Sequence, residues 1–159
     1  MPLSATSLCK RFVTSTDASR ATLEPDALVD TSVAVPLVVA DHEHHRAVVD
    51  AIGTRAVGLA GHAAFETFSI LTRLPPPARR SPGAVGRLIA HNFPATRFLS
   101  DQAAAELLAS LGTLGIAGGA VYDALVGAAA VQHELTLITR DRRAADTYRR
   151  LDVTFVLFD

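Results

Sequence analysis

From residue 27 to the end of the chain, short continuous apolar runs alternate with longer stretches whose apolar residues recur every three to four positions. Short continuous runs read as strands buried on both faces, and the longer recurrence reads as amphipathic helix. On that basis residues 27–30 (Ala-Leu-Val-Asp) form a first strand that ends in an acid, 33–40 and 43–52 are helical, and 56–60 is a second strand. Residues 62–74 form an amphipathic helix that stops at Pro75-Pro76-Pro77, since proline lacks the N–H and crowds the preceding turn. A further helix covers 81–91, with Ser81 as N-cap and Pro82 in the first helical position. Residues 97–99 are a candidate third strand. Ser100 then caps a helix that runs through Leu111, with Asp101 favourably placed in its first turn. A glycine-rich turn over 115–119 leads into an alanine-rich, almost wholly apolar helix over 121–133. Residues 135–139 and 154–158 are strands joined by a helix over 142–150. Strand and helix alternate with no internal repeat and no second core, which predicts an α/β sandwich around a parallel sheet.

Composition changes this picture in three places. Hydrophobic residues make up 49% of 159 and the mean hydropathy is +0.27, which suits a sheet covered on both faces or a surface covered by a partner. The longest apolar stretches, 27–40 and 116–132, are each broken by an aspartate and fall short of the ~20 clean residues of a membrane span. Cys9 is the only cysteine, so no disulfide framework exists and a reducing cytoplasm is the natural compartment. The net charge of −1 does not advertise a nucleic-acid binder, yet Lys10 is the only lysine beside fourteen arginines. A GC-rich genome explains that bias before phosphate binding does. Residues 1–24 are rich in serine and threonine, lack the apolar core of a secretory signal, and read as a disordered or irregular extension or an upstream start. Residues 25–159 are the folded domain.

Four carboxylates stand where a solvated charge is not expected. Asp30 ends the first strand, and Glu66 lies within Ala63-Ala64-Phe65-Glu66-Thr67-Phe68. Asp123 sits in the first turn of the most apolar helix, and Asp141 ends the strand Leu137-Ile138-Thr139-Arg140-Asp141. Ligand sites of open parallel sheets form at the carboxyl ends of strands near the point where strand order reverses. Asp30 and Asp141 fall at such ends, with Asp123 entering from the same side. Each acid alone has a structural role open to it, as a cap, a helix-dipole acid, an ion-pair partner or a turn residue. Together they would repel one another unless a hard divalent cation such as magnesium or manganese compensates. Such an ion also suits hydrolysis of a phosphodiester.

Leu28-Val29-Asp30-Thr31-Ser32-Val33, Glu66, Tyr122-Asp123-Ala124 and Thr139-Arg140-Asp141 resemble, in that order, the motifs of the PIN-domain family, and among its members the VapC-type ribonuclease toxins of type II toxin–antitoxin pairs. The similarity runs from about residue 27 to 159. It implies a three-layer α/β/α fold around a central parallel sheet and an endoribonuclease that needs Mg²⁺ or Mn²⁺. The RNA implied is structured, such as tRNA or rRNA. A VapB-like antitoxin would cover the active site, and the toxin would form a homodimer. By that resemblance Asp30, Asp123 and Glu66 hold the metal and Asp141 completes the acidic, catalytic pocket, directly or through water. The hydroxyls of Thr31, Ser32 and Thr139 would orient carboxylates or water. Some relatives carry a further acid after the fourth motif, where this chain has Arg142 and Arg143; Asp146 is a weak substitute.

Arg140, Arg142 and Arg143, with Arg149 and Arg150, gather positive charge beside the proposed pocket, either to grip an RNA backbone or as a solvated helix face. His42, His44 and His45 lack the spacing of a closed zinc site, and read as a helix start with one histidine partly packed. Gly112, Gly115, Gly118 and Gly119 match neither GxxxxGK[ST] nor GxGxxG and read as a turn. Haloacid-dehalogenase-like phosphatases need a second acid two residues after the nucleophile, where Ser32 stands, and a lysine that only position 10 offers; a receiver-type domain fails likewise. The remaining alternative is a PIN fold acting only as a non-catalytic interaction module.

Overall fold

The computed structural model describes residues 24–158. The expected extension over 1–24 therefore lies, apart from Glu24, outside the described residues, as do Cys9 and Lys10. Four strands, β1 (Ala27–Val29), β2 (Val57–Leu59), β3 (Leu137–Thr139) and β4 (Phe155–Leu157), pair in parallel in the order β2-β1-β3-β4. The helices are α1 (Thr31–Val38), α2 (His45–Ile52), α3 (Ala63–Arg73), α4 (Pro82–Asn92), α5 (Asp101–Ser110), α6 (Ala120–Gln132) and α7 (Ala145–Arg150). They flank the sheet to give the α/β sandwich that the alternation predicts. β1, β2 and β3 are buried throughout, which is why they read as continuous apolar runs. The edge strand β4 is half-open, with Val156 exposed.

The chain leaves β1 for β2 on one side and returns for β3 on the other. The order therefore reverses between β1 and β3, and a crevice opens at their carboxyl ends. The main core packs β1, β2 and β3 against α1, α2 and α6, and a smaller cluster closes under α5 and α6 around Leu107, Ile116 and Ala124.

The expected strand over 97–99 is reduced to one parallel bridge, Ala60 with Arg97. The reason lies in the neighbouring residues. Thr96 Oγ1 accepts the Leu59 N–H at 3.1 Å where a strand would offer a carbonyl. The 95–96 backbone also presses so close to β2 that a Cβ on Gly58 would lie 2.2 Å from the Ala95 oxygen. Ser81 and Ser100 do cap their helices, accepting from Ala84 N at 3.4 Å and Ala103 N at 3.2 Å. Two helices start later than the pattern predicts. Residues 42–44 are held in a turn by the His44 N–H on His42 Nδ1, and 141–143 by the Arg143 N–H on Asp141. Side-chain acceptors of this kind compete with helix for the backbone donors. Among the described residues no helix is long and apolar enough to cross a membrane.

Candidate active site

A cleft of about 420 Å³ opens at the carboxyl ends of β1 and β3, and Asp30, Glu66, Asp123, Asp141, Arg143 and His42 all line it. Asp30 follows β1 directly and is 6% exposed. Its Oδ1 accepts from Ser32 Oγ at 2.5 Å and its Oδ2 from Thr139 Oγ1 at 2.5 Å. Those two hydroxyls have no freedom to turn away. Ser32 Oγ also accepts the Arg140 N–H at 2.8 Å, and Thr139 Oγ1 the Asp141 N–H at 3.0 Å, so each hydroxyl proton is directed at Asp30. The buried Tyr148 hydroxyl adds a long contact to Oδ2 at 3.5 Å. Tyr148 approaches because α6 carries Gly127, where a Cβ would lie 3.0 Å from the tyrosine ring. Burial raises the Asp30 pKa above its ordinary value, although the Ser32 and Thr139 bonds work against it.

The other three acids arrive from different elements. Glu66, in the first turn of α3, is exposed and accepts from Thr31 Oγ1 at 2.7 Å. Asp123, in the first turn of α6, is half-buried. Burial, and then the charges of Asp141, Glu66 and Asp30, push its pKa up to about 6. Asp141 does not end the strand as expected: β3 stops at Thr139, and Asp141 sits two residues on, in the turn before α7. Partial burial would raise its pKa, but Arg143 overrides it and holds the carboxyl below its usual value. The Arg143 guanidinium spans both oxygens at 3.2 Å, and its backbone N–H adds a bond at 2.9 Å.

The four acids facing the cleft offer only oxygen, which favours hard divalent cations such as magnesium, manganese or calcium over zinc or copper. Among the described residues, no three His, Cys, Asp or Glu side chains stand close enough to hold an ion as they are. That arrangement fits magnesium, which keeps several waters and takes one or two carboxylates. Burial and then the neighbouring acids raise the Asp123 pKa, and such a cation would relieve the repulsive part. Arg143 already spans Asp141 and a hydroxyl sits on each oxygen of Asp30, whereas Glu66 takes one hydroxyl and Asp123 receives no hydrogen bond among the described residues.

The arginines divide among several tasks. Arg143 lines the cleft, whereas Arg140 lies with its guanidinium 5.9 Å over the Phe158 ring. Arg142 is exposed. Arg150 pairs with Asp146 at 2.9 Å and donates to the Leu114 carbonyl at 3.0 Å, so Asp146 is engaged away from the acids. Of the histidines, His45 Nδ1 meets the Pro36 carbonyl at 2.7 Å while His42 reaches the cleft, so they do not converge. Sequence reasoning missed Tyr148 and the place of His42. Nothing local announces Tyr148; for His42, its position shortly after the first motif helix was the available signal.

The family model for the PIN domain matches residues 27–150. Ribonuclease VapC27 of Mycobacterium tuberculosis (strain ATCC 25618 / H37Rv) is 46% identical over 135 residues, 85% of this chain and 98% of that protein. Ribonuclease VapC40 of Mycobacterium tuberculosis is 45% identical over 126 residues, 78% of this chain and 92% of that protein. The crystal structure of FitAcB from Neisseria gonorrhoeae superposes with a TM-score of 0.56 at 25% identity, over 81% of this chain and 95% of that one. With the family model spanning β1 to α7 and all four acids, the chain belongs to the PIN domain family.

Proposed function

We propose that this chain is a cytoplasmic endoribonuclease dependent on Mg²⁺ or Mn²⁺, the toxin of a VapBC-like toxin–antitoxin pair, hydrolysing phosphodiester bonds in structured RNA such as tRNA or rRNA. The observation that carries the reading is the meeting of Asp30, Glu66, Asp123 and Asp141 on one cleft at the switch point of the sheet. The relatives named as ribonucleases support it.

In this reading Asp30, Asp123 and Glu66 would hold the metal, drawing closer to it than they stand in the free chain, and Asp141 would complete the pocket, directly or through water. When bound, the ion supplies positive charge against the acids and against the charge that builds on the phosphate. Everything else is done by the chain. Ser32 and Thr139 fix the Asp30 carboxylate from both sides, and Thr31 does the same for Glu66 from one. Hydrolysis joins a water oxygen to phosphorus and releases a ribose oxygen, and the water must lose a proton. The pKa of about 6 that Asp123 has in the metal-free cleft marks the charge that such a cation would offset. Arg143 presents a cation at the same cleft for a phosphate oxygen, and Arg140 and Arg142 add positive charge along the approach. An antitoxin and a second copy of the chain would cover the exposed apolar side chains, which include Phe65 and Leu108 at 66% and 72% exposure.

The test is cleavage of total RNA and purified tRNA with Mg²⁺, Mn²⁺ or EDTA, beside Asp30→Asn. Discrete, metal-dependent fragments that vanish in the variant are expected. No fragments, together with no rise in melting temperature on adding metal, would replace the nuclease by a non-catalytic interaction module.

A further inference from the structure

His42 has no part in the chemistry above, yet it lines the same cleft. It lies in the turn between α1 and α2, and its Nδ1 accepts the backbone N–H of His44 at 3.1 Å. A ring nitrogen that accepts carries no proton, so the imidazole is neutral and its single proton is on Nε2. Two roles follow as excluded. A protonated Nε2 is not a metal ligand, and a neutral imidazole is not the general acid for a leaving ribose oxygen. What remains is a fixed N–H donor, for which no described residue provides an acceptor.

Charge decides what this donor meets. The groups that act most on His42 are His44, Glu43, Arg140 and His45. Burial, and then the surrounding positive charge, hold its pKa below 6.5 and keep it neutral, against the pull of Glu43. Those acting on Asp123 are the other three acids and Arg143. The cleft thus carries an N–H donor as well as the carboxylates, with Arg140 among the cations that act on that donor. Arg140 Nε is itself buried without a hydrogen bond. A donor of this kind suits an anionic oxygen better than the neutral edge of a base.

We propose that the His42 end of the cleft binds a second phosphate of the RNA strand, adjacent to the one hydrolysed, with His42 Nε2–H as donor and Arg140 as the charge behind it. The proposal rests on the nuclease reading and narrows its substrate to a strand with a phosphate flanking the scissile one. It also orients the strand across the cleft, with the flanking phosphate toward the α1–α2 turn.

The experiment compares three probes by calorimetry in EDTA: UpU, which has one phosphate, and pUpU and UpUp, which add a terminal one at either end. In the wild type one of the two added phosphates should tighten binding about 10-fold, or about 1.4 kcal/mol, the range of a hydrogen bond to a charged group. In His42→Ala that gain should fall below about 2-fold, while His42→Gln, whose amide still donates, should keep most of it. A side-chain ¹H–¹⁵N spectrum should show the free His42 with its proton on Nε2, and that signal should shift with the tighter-binding probe. An equal gain in wild type and His42→Ala overturns the proposal, as does a proton on Nδ1. A His42-dependent gain in a protein that cuts no RNA keeps the phosphate place and removes the nuclease. RNA cleavage without such a gain does the reverse.

Discussion

Asp123→Asn should stabilise the metal-free protein at neutral pH, although it removes an acid from a helix N-terminus. In the folded chain Asp123 titrates at about 6 instead of its ordinary 3.8, because burial and the charges of Asp141, Glu66 and Asp30 disfavour its ionised form. The folded state therefore holds a proton that the unfolded state has lost between those two values. Stability must then fall as pH rises through that window and stay low above it. At about 1.4 kcal/mol per tenfold change in proton affinity, the full interval is worth roughly 3 kcal/mol. Asp123 is only half-buried, and solvent screening cuts this to about 1–2 kcal/mol. The first turn of α6 opposes it, since a carboxylate there gains roughly 0.5 kcal/mol from the helix dipole that an amide does not. Relief of repulsion wins by about 1 kcal/mol, or a rise of some 3 °C in melting temperature for a domain of this size. The assay is thermal and urea denaturation in EDTA at pH 4 and pH 7.5. The variant should exceed the wild type at pH 7.5 and lose the advantage at pH 4, where both side chains are largely uncharged. A variant equal to or less stable than the wild type at pH 7.5 would refute the electrostatic argument.

Three further outcomes follow from the same contacts. Asp30→Asn sets an amide N–H against one of the two directed hydroxyls and should cost about 1–3 kcal/mol of stability, and below its melting point it should lose at least about 100-fold in metal-dependent RNA cleavage, since an amide is an uncharged, poorer ligand; full activity would remove Asp30 from the site. Thr139→Val keeps the shape but deletes the hydroxyl between Asp30 Oδ2 and the Asp141 N–H, and should cost about 1–3 kcal/mol in urea unfolding, with Thr139→Ser close to wild type. Gly58→Ala sets a Cβ 2.2 Å from the Ala95 oxygen and should destabilise by at least about 3 kcal/mol; a variant of unchanged melting temperature would show that the 95–97 segment moves freely.

The parts of the fold that are legible in the sequence are those fixed by local pattern. β1 and β3 lie in the middle of the sheet, so their residues are apolar on both faces and each run is interrupted only where it reaches the crevice. Asp30 is visible for that reason, and Asp123 because α6 is otherwise almost wholly apolar. What the pattern misses depends on contacts distant in sequence. The Thr96 hydroxyl replaces a backbone acceptor on β2 and reduces a strand to a bridge. Tyr148 touches Asp30 from 118 residues away, through the space left by Gly127. The apolar residues around Glu66 suggest burial, but they include the exposed Phe65 and Phe68, so Glu66 lies on an open face of α3. The late starts of α2 and α7 arise from side-chain acceptors that bind the backbone donors a helix would use.

Once the partners of each acid are set side by side, the four are not equivalent. Asp141 has a guanidinium across both oxygens, Asp30 has a directed hydroxyl on each, and Glu66 has Thr31 and the solvent. Asp123 receives no hydrogen bond among the described residues, and it faces the other three. Asp123 combines burial and repulsion with no donor to offset them, which lifts its pKa to about 6, while Arg143 holds the Asp141 carboxyl below its usual value. Asp123 on α6 thus carries its charge with no donor, while Asp30, whose pKa burial also raises, is fixed in place by hydroxyls from α1 and the end of β3. A cation entering the cleft meets a rigid carboxylate on the sheet and a strained one on the helix. The strained one gains most from its arrival.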